Sequence, residues 1–400
     1  MNSQKKFQLT IAVMCMSIYT WAQVGVTTLG SGAGTSNTNN YTTYIGFQSG
    51  MNGNGFGNTF LGSHTGVEST GWSNTFLGNN AGRYNASGSD NVFVGNQAGI
   101  NNNTGSDNVF IGRDAGNANE SGSNNVFIGN NSGWQNTTGA QNAFLGASTG
   151  IDNTTGSKNT FLGNIAGPNN TTGSQNTFVG YGSAHNNTDG SDNTVLGQYA
   201  SRYNSTGDRN VSLGYRAHYE NVNGDYNTTL GAYAGYKATG SSNVFIGYRA
   251  GYNEAGSNKL YIDNSSTTAP LIYGDFSANQ VGINTGDIPA GYTLAIKGKA
   301  ITEEVKVRTH ANWPDYVFEA DYDLSPITVL EADIEALGHL PGVPSAEEVK
   351  QDGFYLGEMD AILLEKVEEL TLYLIEMNKK ISTLEQENKA LKNELQQIKK

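Results

Sequence analysis

Residues 88–99, GSDNVFVGNQAG, contain the unit that decides the fold, because close copies of it recur along the first two thirds of the chain. The unit is an asparagine, one further residue, two apolar residues and a glycine. Alone, it would fit a phosphate-binding loop, a calcium-binding glycine repeat or one rung of a repeated structure. Its copies close on Gly46, Gly62, Gly78, Gly95, Gly112, Gly129, Gly146, Gly163, Gly180, Gly197, Gly214, Gly231 and Gly247. Recurrence every 16 or 17 residues predicts a mainly β solenoid with one copy per coil.

Asparagine stands four residues before the closing glycine in nearly every copy. Side-chain amides stacked at one level per coil can bond to the coils above and below, as in amide ladders. We expect this structural ladder at Asn91, Asn108, Asn125, Asn142 and Asn159. Gly88 and its equivalents, seven residues before the closing glycine, are expected in a turn that needs positive φ.

The strand of each coil is apolar on both faces, because Val92 and Val94 point to one side and Phe93 to the other. The period favours two short strands per coil and a single interior, and the remaining Asn, Ser, Thr and Gly cannot cover a second apolar face. We therefore expect the inner strands to pack against two further copies of the chain. The residues assigned to this trimer interface are Phe93, Phe110, Phe127, Phe144 and Phe161.

The copy at residues 74–82, NTFLGNNAG, resembles the head repeats of trimeric autotransporter adhesins. The resemblance covers about residues 41–251. It implies a left-handed parallel β-roll that trimerises through its inner strands, in a surface or secreted fibre. No membrane β-barrel sequence follows the coiled coil described below, so outer-membrane autotransport is not expected.

Composition divides the chain into six segments. Lys5 and Lys6 precede an apolar run, which predicts a signal peptide over residues 1–23 and a secreted or cell-surface protein. Cys15, the only cysteine, lies within that signal. The further segments are a linker or cap at 24–40, the β-roll at 41–258, a β-rich neck at 259–307, a small α/β connector module at 308–358 and a coiled coil at 359–400.

The last segment carries a heptad repeat. Position a holds Val367, Leu374, Ile381, Asn388 and Leu395, and position d is apolar throughout, which predicts a coiled coil. Asn388 is expected to set its register. A single asparagine at a often favours dimers, but we prefer the trimer on the evidence of the repeats.

Residues 313–380 resemble a C-terminal module that follows repeat fibres of the Bacteroidetes type. The module stands where phage fibres carry an intramolecular chaperone of the tail-spike, endosialidase kind. The resemblance implies a role in assembly, without self-cleavage, because the Ser and Lys motif of those chaperones is missing.

Several chemistries are not expected from the sequence. The net charge is −13, and no basic stripe exists to bind nucleic acid. The glycine repeat lacks the lysine of a phosphate loop. Calcium is disfavoured because Asp90 is replaced by Lys158 at the equivalent place. His64 and His218 fall in turns, where solvated side chains are expected. We predict no catalytic residues, no metal, no cofactor and no membrane span after signal removal.

One region departs from the repeat. The strand phenylalanine is lost in three consecutive copies, at Val195, Ser212 and Thr229, and we expect an aromatic residue to fill its place from another position. Tyrosine and arginine become frequent there, and both are enriched at binding hot spots. The candidate binding residues are Tyr203, Arg209, Arg216 and Tyr219.

These features predict an exported homotrimeric fibre, structural or adhesive, whose partners are its own copies and a surface glycan or protein receptor. A receptor-binding, tail-fibre-like protein of a phage-like or secretion particle is the alternative. A glycan-active fibre enzyme is the third.

Overall fold

The structure is a computed structural model that describes residues 25–37, 41–308 and 313–399. The predicted signal peptide lies outside the described residues. The chain separates into two compact units, which meet in sequence between Lys299 and Ala300.

The first unit is a parallel β-solenoid with one strand per coil. Fifteen strands pair in parallel with their neighbours in chain order. They are β1 Val26–Leu29, β2 Thr42–Ile45, β3 Thr59–Leu61, β4 Thr75–Leu77, β5 Val92–Val94, β6 Val109–Ile111, β7 Val126–Ile128, β8 Ala143–Leu145, β9 Thr160–Leu162, β10 Thr177–Val179, β11 Thr194–Leu196, β12 Val211–Leu213, β13 Thr228–Leu230, β14 Val244–Ile246 and β15 Lys259–Ile262. The solenoid and its period are confirmed.

The solenoid extends beyond the expected limits at both ends. β1 lies in the segment predicted as a linker and pairs with β2 in register, with Val26 opposite Thr42. β15 falls in the predicted neck, yet it still pairs in parallel with β14. Pairing becomes antiparallel only at β16 (Ile272–Asp275) and β17 (Gln280–Ile283), before β18 (Leu294–Ile296) closes the sheet.

Each described coil has one short strand rather than the two that the period favours. The rest of the coil consists of turns, which are joined to the next coil by single backbone hydrogen bonds. The amide of Gly99, for example, donates to the Ala115 carbonyl at 2.9 Å, and that of Asn101 donates to Asn117 at 3.1 Å. Asparagine- and glycine-rich turns therefore propagate the ladder without regular strand geometry.

The positive φ of each coil lies at a different residue from the one expected. Gly88 is not left-handed. It is glycine because a Cβ there would overlap the Gly105 carbonyl oxygen of the next coil. The left-handed residue between Gly88 and the strand is Asp90, with φ of 58°. Lys158 and Arg209 occupy the same place, with φ of 60° and 54°. This column shares a backbone conformation that Asn and Asp adopt most readily, which explains its acidic members without a ligand.

The interior of the solenoid is an aromatic stack. Tyr44 and the strand-centre phenylalanines from Phe60 to Phe178 lie one above another, with ring centroids 4.6–5.0 Å apart and planes within 19° of parallel. Each ring lies over a glycine, such as Gly99 under Phe93, where a Cβ would overlap the ring. One coil therefore closes over one ring.

The assignment of the strand phenylalanines to a trimer interface is wrong. Phe93, Phe110, Phe127, Phe144 and Phe161 are 0% exposed within a single chain, so no partner can contact them. The sequence has two apolar faces, as expected, but the aromatic face is the inner one. The outer face carries the flanking aliphatic residues of the strands.

Two asparagine ladders hold the coils in register, and one of them was not anticipated. In the expected ladder, Asn91 Oδ1 accepts the backbone amide of Asn108 at 3.0 Å, while Asn91 Nδ2 donates to the Gly105 carbonyl at 2.9 Å. The same bond to the next backbone amide joins the series from Asn91 to Asn159. Its Oδ1 atoms therefore bond mainly to backbone rather than to neighbouring amides.

The second ladder lies seven residues after each closing glycine and joins amide to amide. Asn102 Nδ2 donates to Asn85 Oδ1 at 2.6 Å, and Asn119 repeats the bond to Asn102. All three side chains are fully buried. The bonds lengthen to 3.2 and 3.3 Å at Asn204 and Asn221, where the strand phenylalanines are missing.

The second unit is helical. It contains a 3₁₀ helix at Pro314–Phe318 and the helices α1 Ile327–Leu337, α2 Ala346–Asp352 and α3 Leu356–Ile398. Over the described part of the predicted connector, residues 313–358, there is no strand, so its α/β class is wrong. The predicted Ser345 capping box is present, with Glu348 as its partner, and Gly338 ends α1 in a left-handed conformation.

Tyrosine hydroxyls fasten the connector to α3. Tyr316 donates to Glu365 and Tyr322 to Glu369, both at 2.6 Å. Lys366 bridges the same two carboxylates at 2.8 and 3.0 Å. The lysine neutralises part of the acidic face on which the connector packs.

Candidate binding surface

One of the three coils that lose the strand phenylalanine refills its interior from a different position. Val195, Ser212 and Thr229 take its place and remain fully buried or nearly so. In the Ser212 coil, His218 stands where the other coils have glycine, alanine or serine, and its imidazole is 0% exposed. The prediction of a solvated His218 is therefore wrong. His64, in contrast, is half-buried.

Tyrosine and arginine side chains cover the turn that follows the strand in these coils and in the next one, whose strand centre is Phe245. We call this set the Tyr–Arg surface. It comprises Tyr199, Arg202, Tyr203, Tyr215, Arg216, Tyr219, Tyr233, Tyr236, Tyr248, Arg249 and Tyr252.

Arg216 lies at the centre of this surface, held by aromatic rings. Its guanidinium carbon is 5.2 Å from the ring centroid of Tyr215, 5.3 Å from that of Tyr219 and 5.9 Å from that of Tyr199. Its Nε is buried without a hydrogen-bond partner. Cation–π contacts of this kind contribute about 0.5–1 kcal/mol each at exposed sites.

Arg249 repeats this arrangement two coils further on. Its guanidinium carbon lies 5.2 Å from the Tyr248 ring centroid, 5.7 Å from that of Tyr233 and 5.6 Å from that of Tyr252. The two sites share the sequence Tyr-Arg-Ala-x-Tyr, which recurs after 33 residues. The surface is therefore a repeated unit along the solenoid.

A row of stacked tyrosines runs beside the arginines. Tyr219 and Tyr236 are parallel with centroids 4.8 Å apart, and Tyr236 continues onto Tyr252 at 5.0 Å. Tyr203 meets Tyr219 edge-on at 5.2 Å. Arg202 covers Tyr199 at 4.8 Å and extends the surface by one coil.

The charge of the surface comes from its guanidinium groups. Partial burial raises the pKa of Tyr219 and of Tyr236, so both phenols are neutral at physiological pH. Within the described residues, Arg202, Arg216 and Arg249 form neither ion pairs nor side-chain hydrogen bonds. Apart from the buried Nε of Arg216, their N–H groups are therefore free for an acidic ligand.

The structure brings together three of the four predicted binding residues. Tyr203, Arg216 and Tyr219 belong to the Tyr–Arg surface. Arg209 precedes the strand instead of following it, donates to the Tyr226 hydroxyl at 2.6 Å and lies 3.7 Å from Asp192. It belongs to the opposite turn, because the strand Val211–Leu213 separates it from Arg216.

Sequence reasoning missed Arg249 and Tyr252, although the second Tyr-Arg-Ala-x-Tyr copy at residues 248–252 could have revealed them. Tyr199, Arg216, Tyr233 and Arg249 have φ between 51° and 59°, and earlier coils have the same left-handed conformation in this column, for example at Gln97 and Ile165. The positive φ is therefore a feature of the coil and not of this surface alone.

The second unit holds a cavity of about 230 Å³ between α1, α3 and the connector. Leu330, Leu340, Leu370 and Tyr373 line it, together with Lys366. Lys366 is already paired with two glutamates. Asp323 and Asp333 also line the cavity, so its wall is partly acidic.

Over the described residues, no group of three His, Cys, Asp or Glu side chains could hold a metal ion. None of the described helices combines the length and the apolar character that crossing a membrane requires.

Comparisons of the chain with protein-family models, with curated proteins and with solved structures find no match. The class of the protein, a parallel β-solenoid with a C-terminal helix, follows from its geometry alone.

Proposed function

We propose that the chain assembles into an exported homotrimeric fibre with a structural or adhesive role. The observation that carries this proposal is the bare apolar seam of α3. The a and d residues from Val367 to Ile398 are 48–83% exposed, apart from Asn388. A helix of 43 residues with such a seam is stable in water when the seam is covered by equivalent helices.

A second uncovered stripe supports the same conclusion in the solenoid. Leu145, Leu162, Leu196 and Leu230 stand on the outer face of successive or nearby strands and are 43–48% exposed. Contiguous apolar patches on a soluble protein mark interaction sites. A stripe that repeats with the coil period is complementary to the same stripe on another copy, so the outer aliphatic face replaces the phenylalanines as the proposed trimer interface.

The remaining parts of the proposal come from the sequence. The signal peptide at residues 1–23 supports export to the cell surface or medium. The adhesin-like repeats support a left-handed coil and three chains. Attachment is assigned to the Tyr–Arg surface, with Tyr203, Arg216 and Tyr219 among its contacts.

Light scattering coupled to size-exclusion chromatography of residues 24–400 tests the assembly. We expect three chains per particle and a concentration-dependent loss of the trimer in Ile381→Ser. Ile375→Ser is the matched control, because Ile375 lies at position b of α3, outside the a/d seam, and is similarly exposed, 47% against 48%. A monomeric wild-type protein would overturn the proposal.

A further inference from the structure

The spacing of the Tyr–Arg surface points to a particular kind of ligand. Arg216 and Arg249 lie two coils apart, and coils stacked at about 4.8 Å place them on the order of 10 Å from each other along the solenoid. Tyr233 stands between them in the same column. Flat rings and positive charges therefore alternate along a straight line, as they would for a linear polymer with regularly spaced anions.

The local charge is opposite to that of the protein. Between residues 202 and 249, the turns that follow the strands hold Arg202, Arg216, Lys237 and Arg249 against one acidic residue, Glu220, a balance of +3, whereas the whole chain carries −13. Five of the eight basic residues between 24 and 258 fall in this interval. Such a patch is a place where an acidic ligand gains attraction from an otherwise repulsive surface.

The chemistry of the groups is equally specific. Guanidinium is planar and matches carboxylate or sulfate oxygens in paired hydrogen bonds. Tyr203, Tyr215 and Tyr248 are 37–47% exposed and offer ring faces and edges with a hydroxyl at the rim. Ring faces of this kind pack on the C–H surface of sugar rings, and the hydroxyls bond to their oxygens.

From these features we infer that the Tyr–Arg surface binds a linear acidic polysaccharide along the solenoid axis. The chain's carboxylate or sulfate groups pair with Arg216 and Arg249, and its sugar rings pack against the intervening tyrosines. This inference rests on the proposed adhesive function and names the class of its ligand.

An alternative role for these residues is to compensate the coils that lack a strand phenylalanine. Exposed tyrosine stacks would do so without any ligand. That role does not require that the arginines lack ion-pair partners, as Arg216 and Arg249 do among the described residues. A purely stabilising surface would also be expected to pair its cations with the acidic residues that the chain has in excess.

Binding of the full-length protein to three immobilised polymers tests the inference. Polygalacturonate carries only carboxylates, dextran sulfate carries only sulfates, and dextran is neutral. We expect binding to one or both acidic polymers, weakened by salt, and none to dextran. The polymer that binds identifies the anion. Equal binding to dextran, or binding to neither acidic polymer, would overturn the inference.

Variants assign the binding to the surface. Arg216→Ala with Arg249→Ala should lower the affinity at least about tenfold, since hydrogen bonds to charged groups are worth roughly 1.5–3 kcal/mol each. Arg113→Ala removes an exposed arginine elsewhere and should bind as wild type. Undiminished binding by the double alanine variant would refute the assignment.

Two further readouts keep the outcome unambiguous. If the alanine pair unfolds, Arg216→Lys with Arg249→Lys keeps both charges and should still lose affinity several-fold, because lysine lacks the planar fork. Undiminished affinity would contradict the inference. If the Arg216→Ala/Arg249→Ala variant loses its trimer while its affinity for the polymers is unchanged, the surface binds a second copy of the chain. A trimer that adheres to cells but binds neither acidic polymer would leave the proposed function standing and remove only this ligand.

Discussion

Ser212 and His218 reverse the usual sizes of two interior positions in one coil of the solenoid: the strand centre is small and the later position is large. In the coils from Phe60 to Phe161, the strand centre is an aromatic ring and the residue six positions later is a glycine that the ring covers, as with Phe93 and Gly99. Here the strand centre is a small serine, and the imidazole of His218 enters the interior from the glycine position. Both side chains are fully buried, so the coil keeps its packing with the two roles reversed.

This reversal predicts strong coupling between the two positions. Ser212→Phe alone should clash with the imidazole, and His218→Gly alone should leave a cavity, each costing about 1–5 kcal/mol of local stability. The double variant creates the combination found at Phe93 and Gly99 and should recover most of either loss. It also relieves the left-handed backbone of His218, whose φ is 54°.

Amide hydrogen exchange of the coils around residues 210–227 measures this coupling, since a long repeat array does not unfold as a single two-state unit. Additive effects of the two substitutions would show that the residues do not share one space. Ser201 provides a useful internal probe, because its hydroxyl bonds to that of Ser212 at 2.8 Å and loses this partner in both Phe-containing variants.

The same histidine makes the region sensitive to acid. Burial lowers the pKa of His218 from 6.5 to about 4, and neither ring nitrogen has a hydrogen-bond partner. Between these values the unfolded chain binds a proton that the folded one does not, so stability falls as the pH falls from about 6.5 to 4. The loss amounts to about 3 kcal/mol and then levels off.

Exchange rates of the same coils at pH 7 and pH 4.5 check this prediction after correction for the intrinsic pH dependence. The Ser212→Phe/His218→Gly double variant is the control, because it has no titrating group at this place. Equal sensitivity to acid in both proteins would exclude His218 as the cause.

The sequence was sufficient to predict the solenoid, because the residues that repeat with its period, such as the closing glycines, are ones that the backbone geometry requires. It was not sufficient to decide which apolar face is inside. Val92 and Phe93 alternate on a strand, and alternation alone does not state which of them the coil encloses. Gly99 decides which face is inside, because only a residue without a Cβ leaves room for the Phe93 ring. The sequence did not reveal this contact, because a turn separates Gly99 from Phe93.

The Tyr–Arg surface was partly visible for a related reason. Its composition is evident in the sequence, so Tyr203, Arg216 and Tyr219 could be chosen. Arg209 was grouped with them because it is near in sequence, although the strand between it and Arg216 carries the chain to another turn. Position within the coil, rather than proximity along the chain, decides which residues meet.

The second asparagine ladder should be essential where neighbouring asparagines are not. Asn102 donates to Asn85 and to the Gly105 carbonyl, and accepts from Asn119. Asn102→Ala leaves these buried partners without a hydrogen bond and should lower the free energy of unfolding by about 1–3 kcal/mol. The adjacent Asn103 is exposed, and Asn103→Ala should change stability by less than about 0.5 kcal/mol. Hydrogen exchange of the Gly105 coil distinguishes them, and similar effects would contradict the buried ladder.

The outer aliphatic stripe should contribute to association rather than to the fold of one chain. Leu145→Ser with Leu162→Ser removes two side chains that are 46% and 43% exposed. We expect the β signal in circular dichroism to persist while the trimer dissociates at higher protein concentration. Phe144→Ala, one residue away but fully buried, should instead disrupt the coil by about 3–5 kcal/mol. A stripe variant with wild-type association would remove the solenoid from the interface.

Asn388 should lower the stability of the helical assembly while determining how many helices it contains. It occupies an a position, and in the single chain its amide donates back to the Leu384 carbonyl at 3.0 Å. Burying this amide among equivalent helices has a cost that an aliphatic residue would not have. Asn388→Ile should therefore raise the melting temperature of the helix signal and allow more than one oligomeric state. Asn393→Ile, at the outward f position, is the matched control and should leave both unchanged. Light scattering measures the oligomeric state, and circular dichroism measures the melting temperature. If Asn388→Ile keeps a single oligomeric state, Asn388 does not set the register, and the solenoid is the remaining candidate for that role.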